Sequence, residues 1–190
     1  MNQSARLSIM VLVLAGLGAC GDDDAAGPLD AGVDAPADPT TIEGLPIDEE
    51  VGMPDLGAAA DAVRHERGMW HIYAQNLNDA VRAQGYLQAV DRLGQMHFIR
   101  LAATGRTAEF AGSLDPSLID SDADTRFEGH ARNAEAILAG LPAEERELLE
   151  VYAAGVNVRI NQVINGEVTL PRGVSDLVNA DNLRVWEPVE

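Results

Sequence analysis

The sequence has no lysine, a single cysteine and few aromatic residues, and each shortage excludes a class of protein. All 13 basic residues are arginine, and they stand against 31 acidic residues, for a formal net charge of -18. Nucleic-acid binding needs a basic surface that neutralises phosphates, so we expect no nucleic-acid partner. One cysteine excludes a disulfide framework and a cysteine-rich zinc site. Neither a His-Glu-x-x-His pair nor a complete calcium loop occurs, and the sequence therefore predicts no metal site.

The first 20 residues have the character of a secretory signal. Arg6 precedes an apolar run over residues 7–17, which is too short to cross a bilayer. The run ends in Leu-Gly-Ala-Cys, with the cysteine at Cys20, and this pattern resembles the bacterial lipobox. We predict that residues 1–19 are a lipoprotein signal peptide and that Cys20 is lipidated, which would hold the chain on a membrane of the bacterial cell envelope. An ordinary signal with an incidental cysteine is the alternative.

Residues 20–57 are acidic and rich in proline and glycine. From residue 21 to 57 there are 11 acids, 6 glycines and 5 prolines, without a basic or aromatic residue. Such a composition buries too little apolar surface to offset the entropy of ordering the chain. We therefore predict a disordered linker over 20–57 that leads to a domain over 58–190.

The domain over 58–190 contains all eight aromatic residues and most of the periodic patterns. Alternating residues on either side of Arg67 and Gly68, over 62–66 and 69–74, predict a short β-hairpin. Apolar spacing predicts helices over about 79–103, 107–111, 122–139 and 142–163. The fold class is thus α+β and mostly helical, with one hairpin that lacks a sheet to join.

The helical spacing also predicts which side chains are buried and which cap a helix. The predicted apolar stripes are Leu87, Val90, Leu93, His97 and Leu101; Phe127, Ala131, Ala134 and Leu138; and Leu148, Tyr152, Val156, Ile160 and Val163. A polar stripe of Gln84, Gln88, Asp91 and Gln95 is either a wet face or a buried network. We interpret His97 as a core residue with satisfied hydrogen bonds, and Ser121 or Asp122 as the cap of the third helix.

Several blocks, in order and in register, resemble the start of the penicillin acylase (penicillin amidase) family, a branch of the N-terminal nucleophile hydrolases. The blocks cover residues 64–74, 83–96, 105–109, 121–122, 148–157 and 186–188. The family-motif residues of the second block are Gly85, Tyr86, Asp91, Arg92 and Gln95. Two positions depart from the family pattern, with Trp70 in place of proline and Val90 in place of glutamine.

The resemblance implies a four-layer αββα sandwich, of which these residues would form the N-terminal part of the first (alpha) chain. It implies hydrolysis of N-acyl amides, such as penicillins or N-acyl homoserine lactones, by an N-terminal serine on a second chain. The family's nucleophile, oxyanion-hole groups and calcium ligands lie outside the matched blocks, so no catalytic or metal-binding residue carries over. Asp91 and Arg92 are interpreted as a structural charged pair.

We therefore expect a chain that is inactive alone and that needs a second, beta-like acylase chain. No cofactor is expected within these residues, and calcium belongs to the complete family fold. The alternative is a membrane-anchored surface lipoprotein that acts as a non-catalytic binding or scaffold module.

Overall fold

The computed structural model describes residues 5–11, 42, 45–170, 178 and 182–188. Its strands are β1 (Arg6–Val11), β2 (Glu49–Gly52), β3 (Ala60–Arg64) and β4 (Trp70–Tyr73). Its helices are α1 (Leu77–Ala103), α2 (Thr107–Ala111), α3 (Leu118–Glu128), α4 (His130–Gly140) and α5 (Ala143–Ile164). The predicted α+β class is confirmed. None of these five helices combines the length and the apolar character that a membrane crossing requires.

The four strands form one sheet in the order β2-β1-β3-β4. The predicted hairpin is confirmed, because β3 and β4 pair antiparallel, and the His65 N–H donates to the Met69 carbonyl at 2.8 Å where the turn closes. Gly68 in this turn has φ +83°, a conformation that glycine adopts without cost. The expectation that the hairpin has no further strands to join is wrong, since β1 runs parallel to β3 and antiparallel to β2.

The two additional strands come from segments that the composition assigned to other roles. β1 lies within the predicted signal peptide, and its Leu7 side chain is fully buried. β2 lies within the predicted linker, where Val51 and Met53 are buried. The prediction of disorder is therefore wrong from Glu49 onward, because an acidic average over 37 residues hides a short apolar alternation. Cys20 and residues 20–41 lie outside the described residues.

Helix α1 begins at a side-chain cap and packs against α5. Asn76 accepts a hydrogen bond from the Asp79 N–H at 2.9 Å, as is typical of an N-cap. The predicted stripe of α1 is confirmed for Leu87, Leu93, His97 and Leu101, which are buried. The polar stripe of α1 is exposed at all four positions, so it is a solvent-exposed surface of the helix rather than a buried polar network.

The apolar core consists of two clusters that share α1. In the first, the sheet packs against the N-terminal half of α1, with Leu7, Met53 and Tyr86 among its fully buried side chains. In the second, Leu93 of α1 packs against Ile160 of α5 and against Leu183. Val156, Ile160 and Val163 confirm the predicted stripe of α5, whose Leu148 and Tyr152 are half-buried.

Two glycines lie where α1 and α5 cross. A Cβ atom on Gly85 would overlap the carbonyl oxygen of Tyr152, and one on Gly155 would overlap the carbonyl oxygen of Arg82. The two backbones are therefore in direct contact at both points. Gly85 costs about 1 kcal/mol of helix propensity relative to alanine, and this close approach is the reason that α1 needs it.

The predicted helix over 122–139 is two helices. Gly129 has φ +78°, in the left-handed region, and separates α3 from α4. The break changes the direction of the chain, so the predicted stripe does not form: Phe127 is 88% exposed and no residue of α4 is buried. The predicted apolar stripe from Phe127 to Leu138 is thus wrong, and α3 begins at Leu118 rather than at Asp122.

We predict that Gly155→Ala lowers the free energy of unfolding by about 2–3 kcal/mol, because the new methyl group forces the two helix backbones apart. The measurement is urea unfolding of the full chain followed by far-UV circular dichroism. Gly140→Ala is the matched control, since a Cβ at Gly140 meets no atom within 4 Å. Equal stability of the two variants would contradict the proposed role of the crossing.

Candidate functional site

Asp91 ties the hairpin to helix α1. The indole Nε1 of Trp70 donates to Oδ2 of Asp91 at 2.9 Å, and Nη2 of Arg64 lies 3.0 Å from its Oδ1. The Arg64 guanidinium also lies over the Trp70 ring, 5.0 Å from the ring centroid, in cation–π geometry. One carboxylate thus joins β3 and β4 to the middle of α1.

Arg92 does not pair with Asp91, and the interpretation of these two residues as a charged pair is wrong. Consecutive residues of a helix point in different directions. In addition, α1 departs from helical geometry at Arg92, where φ is -139° and ψ is 20°. Arg92 Nη1 instead donates to Oε1 of the exposed Gln95 at 3.1 Å. The second family block therefore marks a kink in α1.

The other two motif residues, Gly85 and Tyr86, serve the core. Gly85 is at the helix crossing, and the Tyr86 side chain is fully buried between the sheet and α5. The Tyr86 hydroxyl donates to Oε1 of Gln162 on α5 at 3.2 Å. Burial raises the pKa of this hydroxyl, and the nearby Glu49 carboxylate adds to that effect. Tyr86 therefore stays a neutral donor at physiological pH.

An open cleft of about 330 Å³ lies between β4 and α1. Its lining residues are Trp70, Ile72, Gln84, Leu87, Gln88, Asp91 and Arg92. The polar stripe of α1 supplies one wall, and Tyr152 reaches the same wall by donating to Oε1 of Gln88 at 2.8 Å. The lining side chains are amides, a carboxylate, a guanidinium and apolar groups, so the cleft can form hydrogen bonds with a bound molecule.

The described residues do not form a site for the calcium ion that the family resemblance implies for the complete fold. Among them, no three side chains of His, Cys, Asp or Glu gather where they could hold a metal ion. Calcium takes six to eight oxygen ligands, so we assign no chemistry to a metal here.

His97 is buried, as its place on the apolar stripe predicts, but it is not satisfied. Its side chain is 2% exposed, packs edge-on to Phe110, and has an Nδ1 atom without a hydrogen-bond partner. Burial lowers the pKa of His97, and the positive charges of Arg100, Arg106 and Arg184 lower it further. The imidazole is therefore neutral at physiological pH.

Two buried carboxylates hold backbone N–H groups of segments distant in sequence. Asp122 accepts from the Thr107 N–H at 3.0 Å, from its hydroxyl at 2.6 Å and from the Ala108 N–H at 2.7 Å, so it caps α2 rather than its own helix. Asp79 accepts from the N–H groups of Gly57 and Ala58 at 2.9 and 3.0 Å. The sequence shows neither role, because the partners are 14 to 22 residues away.

A solved acylase has a similar fold. The thermostable penicillin G acylase from Alcaligenes faecalis superposes with a TM-score of 0.60 at 24% identity, over 69% of this chain and 67% of that chain. At that identity the likeness shows the fold alone, which is that of an N-terminal nucleophile hydrolase. Residues 59–190 match the model of the Penicillin amidase family, and the chain belongs to this family.

Three curated relatives agree with this assignment. Penicillin acylase 2 proenzyme of Pseudomonas sp. (strain SE83) is 35% identical over 112 residues, which are 59% of this chain and 14% of that protein. Penicillin G acylase of Escherichia coli is 33% identical over 129 residues, 67% of this chain and 15% of that protein. The acyl-homoserine lactone acylase QuiP of Pseudomonas fluorescens (strain Pf0-1) is 37% identical over 94 residues, 50% of this chain and 11% of that protein. The chain thus spans about a seventh or less of the relatives' length.

We predict that Asp122→Asn lowers the free energy of unfolding and that the size of this loss depends on pH. Burial alone raises the pKa of Asp122, but the hydrogen bonds from Thr107 and Ala108, with the charge of Arg126, more than offset it and hold the pKa below its ordinary range. A lowered folded pKa gives stability that is present at neutral pH and is lost as the pH falls below about 4. The variant is expected to lose about 2 kcal/mol at pH 7, and less at pH 3.

Urea unfolding of the full chain at pH 7, 5, 4 and 3 measures this cost. Asp124→Asn is the control, because Asp124 is an exposed carboxylate on the same helix. A deficit of Asp122→Asn that stays constant from pH 7 to pH 3 would contradict the role of the ionised carboxylate.

Proposed function

We propose that this chain is the N-terminal portion of a penicillin-acylase-type amidohydrolase that cleaves N-acyl amide bonds. The carrying observation is that residues 59–190 match the Penicillin amidase family, whereas the 112 residues aligned with the Pseudomonas proenzyme are only 14% of its length. The serine nucleophile and its oxyanion hole are supplied by acylase polypeptide beyond these 190 residues. Penicillins and N-acyl homoserine lactones are the substrate classes that the relatives' names suggest.

The local geometry supports a framework role for this part of the enzyme. Asp91 binds Trp70 and Arg64, Tyr86 is buried in the core, and Gly85 permits the helix crossing. The motif residues that the chain shares with the family are therefore engaged in holding the sheet against α1 and α5. No serine, threonine or cysteine lines the adjoining cleft, and we expect the chain to be inert alone.

An exposed apolar surface supports the need for further acylase polypeptide. We use the name α3–α4 patch for four exposed apolar side chains in α3, in α4 and just before α3: Leu114, Ile119, Phe127 and Ile137, which are 83%, 59%, 88% and 64% exposed. Exposed apolar side chains that adjoin one another mark sites of protein contact, and we propose that these four form such a site. The patch is proposed to be covered by the remaining acylase polypeptide in the complete enzyme.

The test is co-expression of this chain with the remaining part of an acylase polypeptide, followed by assays with chromogenic N-acyl amides and N-acyl homoserine lactones. Hydrolysis is expected only when both parts are present. Turnover by this chain alone would contradict the proposal, as would a stable complex without turnover on either substrate class.

Two variants of this chain test whether the α3–α4 patch contacts the second polypeptide. Phe127→Asp is expected to reduce co-purification of the second polypeptide by about tenfold, equivalent to about 1.4 kcal/mol. Ala59→Asp, at an exposed position in the loop before β3, is the control and should leave co-purification unchanged. Equal effects of the two substitutions would remove the α3–α4 patch from the proposed interface.

We propose further that Cys20 carries a lipid that anchors the chain at the cell envelope. The support is the lipobox-like sequence that ends at this cysteine, the only one in the chain. When cells that express the chain grow with a labelled fatty acid, we expect the label on the chain. We also expect the chain in the membrane fraction of these cells, because the lipid anchors it. Cys20→Ser should abolish both signals, whereas Ser113→Ala, a conservative change far along the chain, should abolish neither. Labelling of Cys20→Ser would contradict the anchor.

A further inference from the structure

His97 is buried where helix α1 meets α2 and the C-terminal segment of residues 182–188. Its ring packs edge-on against Phe110 of α2, with 6.3 Å between the ring centroids. Three residues further along α1, and so on the same face of that helix, Nη1 of Arg100 donates to the Arg184 carbonyl at 2.8 Å. We use the name His97 junction for these contacts of His97 and Arg100 with α2 and with the C-terminal segment.

The C-terminal segment depends on side-chain contacts, because it forms neither a helix nor a strand over residues 182–188. Leu183 is 1% exposed and belongs to the second apolar cluster, and the Trp186 ring lies 6.0 Å from the Arg100 guanidinium. A segment that is held by few contacts can open without unfolding of the whole molecule. A small energetic change at the His97 junction therefore has a local effect.

An added proton on His97 would find no acceptor and no opposite charge in this junction. The side chain is 2% exposed, and its Nδ1 has no hydrogen-bond partner among the described residues. The charges that act on the ring come from Arg100 of α1, Arg106 directly before α2 and Arg184 of the C-terminal segment, and all three are positive. Each element that meets at the junction thus contributes a cation.

The acidic residues of the same elements do not compensate these cations at His97. Glu109, the one acid of α2, binds Arg106 through two hydrogen bonds of 2.9 and 2.8 Å. Neither Glu109 nor Glu187 of the C-terminal segment, nor any acid of α1, is among the charges that act on the imidazole. Protonation of His97 would therefore bury a charge and leave an N–H donor without an acceptor, and both cost free energy.

We infer that His97 is an acid-sensitive switch, whose protonation releases α2 and the C-terminal segment from α1 while the crossing of α1 with α5 stays closed. In the closed junction the imidazole is neutral, and in the opened junction it reaches water and takes up a proton. Burial, together with the three arginines, lowers the pKa of His97 in the folded chain from its ordinary value of about 6.5. The stability that the neutral imidazole gives is therefore present above about pH 6.5 and is lost as the pH falls below it. The switch is a property of these residues and does not depend on the proposed hydrolysis.

Hydrogen exchange of the full chain, measured by mass spectrometry at pH 7.5 and at pH 5.0, tests the switch. The amides of α2 report release of that helix, because so short a helix does not persist without its contacts. The Trp186 amide, which donates to Oδ1 of Asn157 at 2.6 Å, reports release of the C-terminal segment. Residues 151–156 of α5, at the helix crossing, are the internal reference. At pH 5.0 Asp122 is still ionised, because its pKa is held below the ordinary range, so its cap of α2 is unaffected.

The protection of α2 and of the Trp186 amide is divided by that of residues 151–156, which cancels the direct effect of pH on exchange. We expect this ratio to fall about tenfold from pH 7.5 to pH 5.0. The upper bound is about 30-fold, because pH 5.0 lies about 1.5 units below the ordinary pKa of histidine. An unchanged ratio would overturn the inference, whether all three regions stay protected or all lose protection together.

Variants at two histidines identify the titrating group. His97→Gln and His97→Leu both remove the titration, the first with a polar and the second with an apolar side chain, and for each we expect the same ratio at both pH values. His130→Gln is the matched control, since this imidazole is exposed and lies 2.8 Å from Glu128, and it should show the same fall as the parent chain. A fall that persists in either His97 variant contradicts the switch, because another group is then responsible. Should one substitution at His97 prevent folding, the other variant and the ratio of the parent chain decide.

Discussion

The contact between the backbones of α1 and α5 is the constraint on which the rest of the molecule depends. Gly85 and Gly155 each present a bare Cα to a carbonyl oxygen of the opposite helix. Because the contact involves backbone on both sides, the helices cannot slide past each other without losing it. Tyr86, the residue after the first glycine, is thereby set between the sheet and α5, where its hydroxyl meets Gln162. The sheet and the C-terminal segment are both positioned from this crossing.

Local signals predicted those parts of the fold that local chemistry decides. The hairpin follows from alternation around Arg67 and Gly68, and α1 from its apolar stripe. The break at Gly129 was not predicted, because a glycine within a periodic pattern is also compatible with a continuous helix. Only the positive φ of Gly129 in the structure shows that the helix ends there. β1 was missed because a run of apolar residues after Arg6 carries the pattern of a signal and of a buried strand alike.

At the candidate site, too, contacts between residues distant in sequence could not be predicted. The family blocks identified Asp91 as important, but its partners, Trp70 and Arg64, are on the hairpin, and no spacing rule links them to α1. The two departures from the family pattern turn out to be related. Trp70 and Val90 are both partly buried against the cluster between the sheet and α1. Trp70 is larger than proline and Val90 is apolar where glutamine is polar, so both changes place apolar surface at one junction.

Each of the two tryptophans of the chain lies close to an arginine guanidinium, in different parts of the molecule. Trp70 lies beneath Arg64 at the junction of the hairpin with α1, and Trp186 lies 6.0 Å from the guanidinium of Arg100. Trp186 is also fixed to α5 by reciprocal hydrogen bonds between its backbone and the Asn157 side chain. Indole emission responds to nearby charge and solvent, so each ring is a built-in optical reporter. One reports the docking of the sheet and the other the docking of the C-terminal segment, without any added label.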